Sequence, residues 1–248
     1  MNTDVERDLT YAITRRNTVI GIIIIILLSA VRPVFHHRAS EALHPEPVSM
    51  PQGIDVSHYQ GDINWNQVEQ SDVAFVYLKA TQGTDYVDPL YDTNRQALKE
   101  KKTAFGSYHF FQPDLDPTSQ AQHFLNTVGK ESSLAPVLDI EVTNDVDPKD
   151  IRAGAKTWLD AVEQATGCRP IIYTNRYFWN ENLGNEFADY ALWLADYADE
   201  VVLPKDKSQW TLWQKSSSFD EQGIDTSVDE DLFNGSDRQM RSIHCKRL

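Results

Sequence analysis

The sequence predicts an α/β fold, a closed parallel barrel of eight strands, and three observations carry that reading. From Pro51 onward, short apolar runs alternate with longer helical stretches. A helical pattern follows each of the first five runs, whereas only loops separate the last three, a (β/α)5(β)3 order. Nearly every run also ends in a polar or aromatic residue, and in parallel barrels the chemistry gathers at the C-terminal strand ends. A doubly wound open sheet is the alternative reading of the same alternation.

The chain has 248 residues, 41% hydrophobic and 24% charged, enough for one large α/β domain or two small ones. Residues 1–16 form a polar leader with arginines at positions 7, 15 and 16. Residues 17–31, NTVIGIIIIILLSAV, contain no charge. At about 1.5 Å per residue such a helix reaches only about 22 Å, short of a hydrocarbon core of roughly 30 Å. The segment therefore reads as the apolar region of a signal peptide, or as a short membrane anchor. Three arginines precede it and two follow, a positive-inside bias that places the bulk of the chain outside the cytoplasm. Residues 32–52 are rich in His, Pro and Glu and read as a linker to a barrel over 53–233, with a tail over 234–248.

Strands are expected over 53–56, 75–80, 104–111, 136–140, 170–174, 191–195, 211–215 and 228–233. Helices are expected over 64–70, 89–101, 118–129, 148–166 and 177–183. Pro89 and Pro148 each follow an aspartate, the pattern of an N-cap before proline at the first helical position. The fourth strand, in APVLDIEV, poses the sharpest question. Side chains alternate along a strand, so Asp139 and Glu141 share one face while Leu138 and Ile140 share the other. Two carboxylates in a dry interior would cost several kcal/mol or neutralise, so the pair is either at a strand end opening into a cleft or heavily compensated.

Other strand ends supply compatible groups: Asp55 in GIDVS, Tyr108 and His109 in SYHFF, Tyr173 in IIYTN, and Trp193, Asp196 and Tyr197 in LWLADY. Gln214 in LWQ and Asp229 in SVDEDLF complete the set. Acids and aromatics converging on one mouth suit a sugar, whose rings stack on aromatic faces and whose hydroxyls bond carboxylates. No His, Asp and Glu set has metal-ligand spacing, no nucleophile elbow or phosphate loop is present, and no cofactor is implied. The net charge of −14, without a Lys/Arg cluster, argues against nucleic acid as a partner. Carboxylate acid–base chemistry remains.

Taken in order, DVSHYQG, YLKATQGTDYVD, SYHFF, LDIE, YTN, LWLADY, WQ and VDEDLF resemble glycoside hydrolase family 25, barrel lysozymes that cleave peptidoglycan after N-acetylmuramic acid. The resemblance runs from about Gly53 to Phe233 and implies a flattened TIM-like barrel. The chain departs from it at Gln82, where the family usually has Glu, and at VDED, where VDLN is common. By motif, the resemblance assigns Asp55, Asp139, Glu141 and Asp229 as the active-site acids. It implies that Glu141 is the general acid, kept protonated by its neighbours, and that Asp139 orients the substrate's acetamido group; a version in which one aspartate is a direct nucleophile or a base for water stays open. Tyr108, His109, Tyr173, Trp193, Asp196, Tyr197 and Gln214 are the candidate sugar contacts.

The partner expected is therefore the peptidoglycan glycan strand, together with a membrane if the N-terminal segment is uncleaved. Localisation follows: anchored on the inner membrane facing the periplasm, or secreted. The two cysteines, Cys168 and Cys245, are candidates for a disulfide in an exported protein. Two rival readings stay open, a binding module without activity and a glycosidase acting on chitin-type polymers. Product analysis separates them.

Overall fold

The computed structural model describes residues 50–129 and 132–245. The leader over 1–16, the apolar segment 17–31 and most of the 32–52 linker lie outside the described residues. Among the described residues, no helix is long and apolar enough to cross a membrane.

The barrel is built from β1 (Gln52–Val56), β2 (Val73–Gln82), β4 (Ala104–Phe110), β5 (Val137–Asp139), β6 (Ile171–Asn175), β7 (Ala191–Ala195), β8 (Leu212–Phe219) and β9 (Val228–Phe233). A two-residue strand, β3 (Tyr86–Val87), folds back on the end of β2. Pairing runs β1-β9-β8-β7-β6-β5-β4-β2, and β1 pairs with β2 to close the ring. The ring is not wholly parallel. β9 runs antiparallel to both β8 and β1. The reason is the short link over 220–227, because a parallel return needs a crossover of a dozen residues or more.

Helices cover the outside: α1 (Trp65–Val68), α2 (Tyr91–Lys101), α3 (Pro117–Val128), α4 (Pro148–Thr166) and α5 (Arg176–Phe178), the last continued by a π turn over Trp179–Leu183. α3 starts where the Asp116 side chain accepts from Ser119 N at 2.7 Å with Pro117 in its first turn. α4 buries Ile151, Ala155, Trp158, Leu159 and Val162, a stripe at helical spacing, and ends at Gly167 with φ 68°. α2 begins later than expected. Asp88 accepts from Leu90 N at 3.0 Å and from His58, so Asp88–Pro89 forms a turn and Leu90 takes the cap position.

Two apolar layers result. Leu138, Ile140, Val76 and Leu78 face outward against Phe124, Trp158 and Leu159 of the helices. Phe75, Tyr77, Val137, Ile171, Trp193, Leu212 and Phe233 fill the barrel itself. Register makes room for the larger rings: Gly53 sits opposite Phe75 and Gly106 opposite Tyr77. A Cβ at either glycine would lie 2.2 Å from the facing ring.

The floor of the barrel is sealed by the C-terminal segment. α6 (Asp237–Met240) brings Met240 and Ile243 beneath Leu134 and Ala135, with Ala135 N donating to Ile243 O at 2.7 Å. Cys168 and Cys245 form a disulfide there, their Cα atoms 5.3 Å apart.

Candidate active site

At the opposite end, the C-terminal ends of the parallel strands surround a cleft of about 370 Å³. Asp139 ends β5 and Glu141 follows two residues later, and both line this cleft. Leu138 and Ile140, on the other face, are fully buried against the helices. Asp55 of β1 and Asp229 of β9 stand directly opposite each other in the ladder and join the wall. Because β9 runs backwards, Asp229 reaches the mouth from the start of its strand. The cleft thus gathers four carboxyl groups from three strands.

Their surroundings hold protons on them. Burial pushes the Asp55 carboxyl up to about 8, Asp229 adds to the rise, and a hydrogen bond from Gln214 opposes it. Burial likewise takes Asp229 up to about 6. Asp139, 6% exposed, is held well above the carboxylate range first by burial and then by Glu141, with Lys79 opposing. Glu141 is raised first by burial, with Lys79 opposing and Asp229 adding. Desolvation is the first cause for both, so the pair retains protons that free carboxyls would shed. One oxygen of Asp139, Oδ1, is buried and has no hydrogen-bond partner among the described groups.

The polar framework around the acids is specific. Gln214 Nε2 donates to Asp55 Oδ2 at 2.8 Å, while Gln214 Oε1 accepts from Tyr173 OH at 2.9 Å and Tyr197 OH at 2.8 Å. Burial, then the nearby carboxylates, hold the Tyr108 and Tyr173 phenols well above their ordinary range, so both remain hydrogen-bond donors. Tyr108, Tyr173, Trp193 and Gln214 all line the cleft, and Tyr197, 60% exposed, stands beside it through its bond to Gln214.

Two of the expected contacts lie elsewhere. His109 does not reach the cleft, because it neighbours inward-facing Tyr108 and alternation turns it out between sheet and helices. There it is fully buried, stacked on Trp158 at 5.5 Å and bonded to Thr81 Oγ1 at 2.7 Å and Gln120 Oε1 at 3.1 Å. Burial pushes its imidazole down to about 3, so it is a neutral core residue. Asp196 lies past the end of β7, and its carboxylate caps its own loop by accepting from Ala198 N and Val202 N. It is not among the residues lining the cleft.

The profile of Glycosyl hydrolases family 25 matches residues 54–224, most of the chain. The chain belongs to family 25. It is a glycoside hydrolase. YegX of Escherichia coli strain K12 is 34% identical over 197 residues, 77% of this chain and 72% of that protein. Lysozyme M1 of Streptomyces globisporus is 31% identical over 222 residues, 80% of this chain and 73% of that protein. Among solved structures, the bacterial lysozyme from Streptomyces coelicolor superposes with a TM-score of 0.74 at 31% identity, covering 79% of this chain and 97% of that one.

In this family 25 barrel, sequence reasoning passes over two residues. Lys79 lines the cleft, donates to Gln82 Oε1 at 3.0 Å and lies 5.0 Å from the Phe110 ring centroid. Burial lowers its ammonium while Asp139, Asp88 and Glu141 support it, so it is the counter-cation of the acid pair. Asp231 is the other, fully buried and bonded to Trp193 Nε1 at 2.8 Å. Both carry the signal that revealed Asp139 and Glu141. Lys79 lies two residues after inward-facing Tyr77, and Asp231 two after Asp229.

Proposed function

We propose that Glu141 and Asp139 carry the reaction of this hydrolase, with Glu141 as general acid and Asp139 as the group that orients the substrate. The enzyme hydrolyses peptidoglycan as a lysozyme does, at the β-1,4 bond between N-acetylmuramic acid and N-acetylglucosamine. Glu141 gives its proton to the glycosidic oxygen as the bond to the anomeric carbon breaks. Asp139 receives the acetamido N–H, and the acetamido carbonyl oxygen attacks the anomeric carbon to form an oxazolinium intermediate. Water then adds at that carbon, loses its proton to the Glu141 carboxylate, and the acetamido group is regenerated. Asp55 and Asp229 hold the sugar and Asp229 helps keep Glu141 raised, while Tyr108, Tyr173, Trp193 and Gln214 form the wall that receives the ring.

One observation supports this reading above the others: Asp139 and Glu141 project side by side into a cleft that also holds Asp55, Asp229 and aromatic faces. The unpartnered Asp139 Oδ1 suits a substrate N–H. Export fits both the apolar 17–31 segment and the Cys168–Cys245 disulfide, since disulfides persist in oxidising compartments. Either a retained inner-membrane anchor or secretion after cleavage satisfies that placement, and fractionation decides between them. Full-length protein in the cytosol would refute export.

The test of the chemistry is Glu141→Gln on purified peptidoglycan beside chitin, with analysis of new reducing ends. The wild type should release muramic-acid ends, and the variant should lose about 10³-fold in kcat while still binding the glycan. Cleavage at the normal rate by the variant would remove Glu141 from its role. Preferential release of chitin fragments would replace the substrate.

A further inference from the structure

We infer that Asp231 is a positioning residue of this cleft: its carboxyl, pinned by the Trp193 indole, carries a proton and donates it to Asp55. The inference rests on the muramidase reading for its importance, but not for its geometry.

β9 delivers two carboxyl groups on one inward face, Asp229 opposite Asp55 and Asp231 one step deeper, opposite Gly53 of β1 and Gln214 of β8. Asp231 is fully buried. Its Oδ1 accepts from Trp193 Nε1 at 2.8 Å, and its Oδ2 has no conventional donor among the described groups. What it does meet is the carboxyl of Asp55, within hydrogen-bond reach. Two ionised carboxylates offer only acceptors, so such a contact is attractive only when one of them is protonated.

The proton belongs on Asp231. Asp55 already accepts from Gln214 Nε2, which favours its ionised form, and it is the less buried of the two. Asp231 faces Asp55 from β1, Trp193 from β7, Gln214 from β8, the Tyr77 phenol from β2 and Asp229 on its own strand. No cation is among these groups. An ionised Asp231 would stand in the interior with no cation facing it, and once Asp55 ionises it would be a second buried negative charge beside it. Burial and the Asp55 charge accordingly hold its carboxyl well above the ordinary range, and the contact with Asp55 adds to that rise while lowering Asp55.

Asp55 is then gripped on two sides, by an amide from β8 and by a carboxylic acid from β9. Asparagine at position 231 would keep both bonds, accepting from Trp193 and donating to Asp55, but could not titrate. Leucine would keep the branched outline, add bulk and lose the donor.

The experiment compares the full-length wild type with Asp231→Asn and Asp231→Leu, each labelled with ¹³C at the aspartate carboxyl, across pH 4 to 9. The wild type should show, beside the raised carboxyls of Asp55 and Asp139, a further aspartate carboxyl resonance that stays in its protonated position through neutral pH and disappears in Asp231→Asn. On peptidoglycan, Asp231→Asn should keep kcat within about threefold, and Asp231→Leu should lose roughly tenfold or more in kcat with little change in KM. A resonance assigned to Asp231 that is already ionised at pH 6 would overturn the inference, as would an Asn variant as impaired as the Leu variant. If Leu prevents folding, the wild-type and Asn titrations decide alone. A wild type with no activity on peptidoglycan would refute the muramidase reading and leave the carboxyl titration standing.

Discussion

The two ends of this barrel are built on opposite principles. The floor is apolar and stapled: Leu134, Met240 and Ile243 cover the strand starts, and the Cys168–Cys245 bond ties the C-terminal segment to the entry of β6. The mouth carries Asp55, Asp139, Glu141, Asp229 and, just beneath, Asp231, against Lys79 as the one basic residue lining the cleft. All five acids are raised, and desolvation is the first cause of each rise. The floor therefore stabilises the fold, and the mouth draws on that stability to hold charges that burial opposes. The contrast teaches where substitutions should cost folding and where they should cost turnover.

The largest effect expected on folding comes from opening the staple. Replacing Cys168 and Cys245 with serine releases a loop constraint of 77 residues, worth about 4 kcal/mol in the chain-entropy account. The urea midpoint should fall accordingly while peptidoglycan cleavage at low temperature persists. Loss of cleavage without loss of stability would break the division between the two ends. Gly106→Ala comes next. Its Cβ would lie 2.2 Å from the Tyr77 ring inside the barrel, and displacing that ring should cost about 2 kcal/mol, read by thermal denaturation.

The remaining effect has the opposite sign and belongs to the mouth. The folded Asp55 carboxyl stands at about 8 against 3.8 for the ordinary group, so between those values the folded state binds a proton that the unfolded state lacks. Stability is therefore lost as pH rises through that window. Asp55→Asn removes the titration and should stabilise the protein at pH 8, with the gap closing near pH 4. Activity should fall in the same variant. Equal denaturation curves for wild type and variant at both pH values would mean that the mouth exacts no cost.

Much of this arrangement was legible before any coordinates. The strands over 191–195 and 228–233 and the helix over 148–166 have the expected limits, because apolar runs and a proline after aspartate mark them clearly. What escaped has physical causes. Tyr86–Val87 is too short and too polar in its setting to show a period, yet it pairs with the end of β2. Pro89 looks like a helix start, but Asp88 is drawn away by His58. His109 was readable in principle, since Tyr108 beside it cannot share its face. Lys79 and Asp231 follow the same two-residue rule as Asp139 and Glu141, but each sits in a run whose neighbours attract more notice. The reversed direction of β9 was readable too, from the brevity of the link before it.

That reversal has a consequence for how such a protein could fall silent. The hairpin joining β8 to β9 already contains two irregular steps between Gln214 and Phe219. One residue gained or lost there would slide β9 by a single position, turning Asp229 and Asp231 to the outer face together and presenting Val228 and Glu230 inward. Every acid would survive in the alignment while two left the chamber. A census of letters would judge such a descendant intact, and only the spacing between LWQ and SVD would betray it.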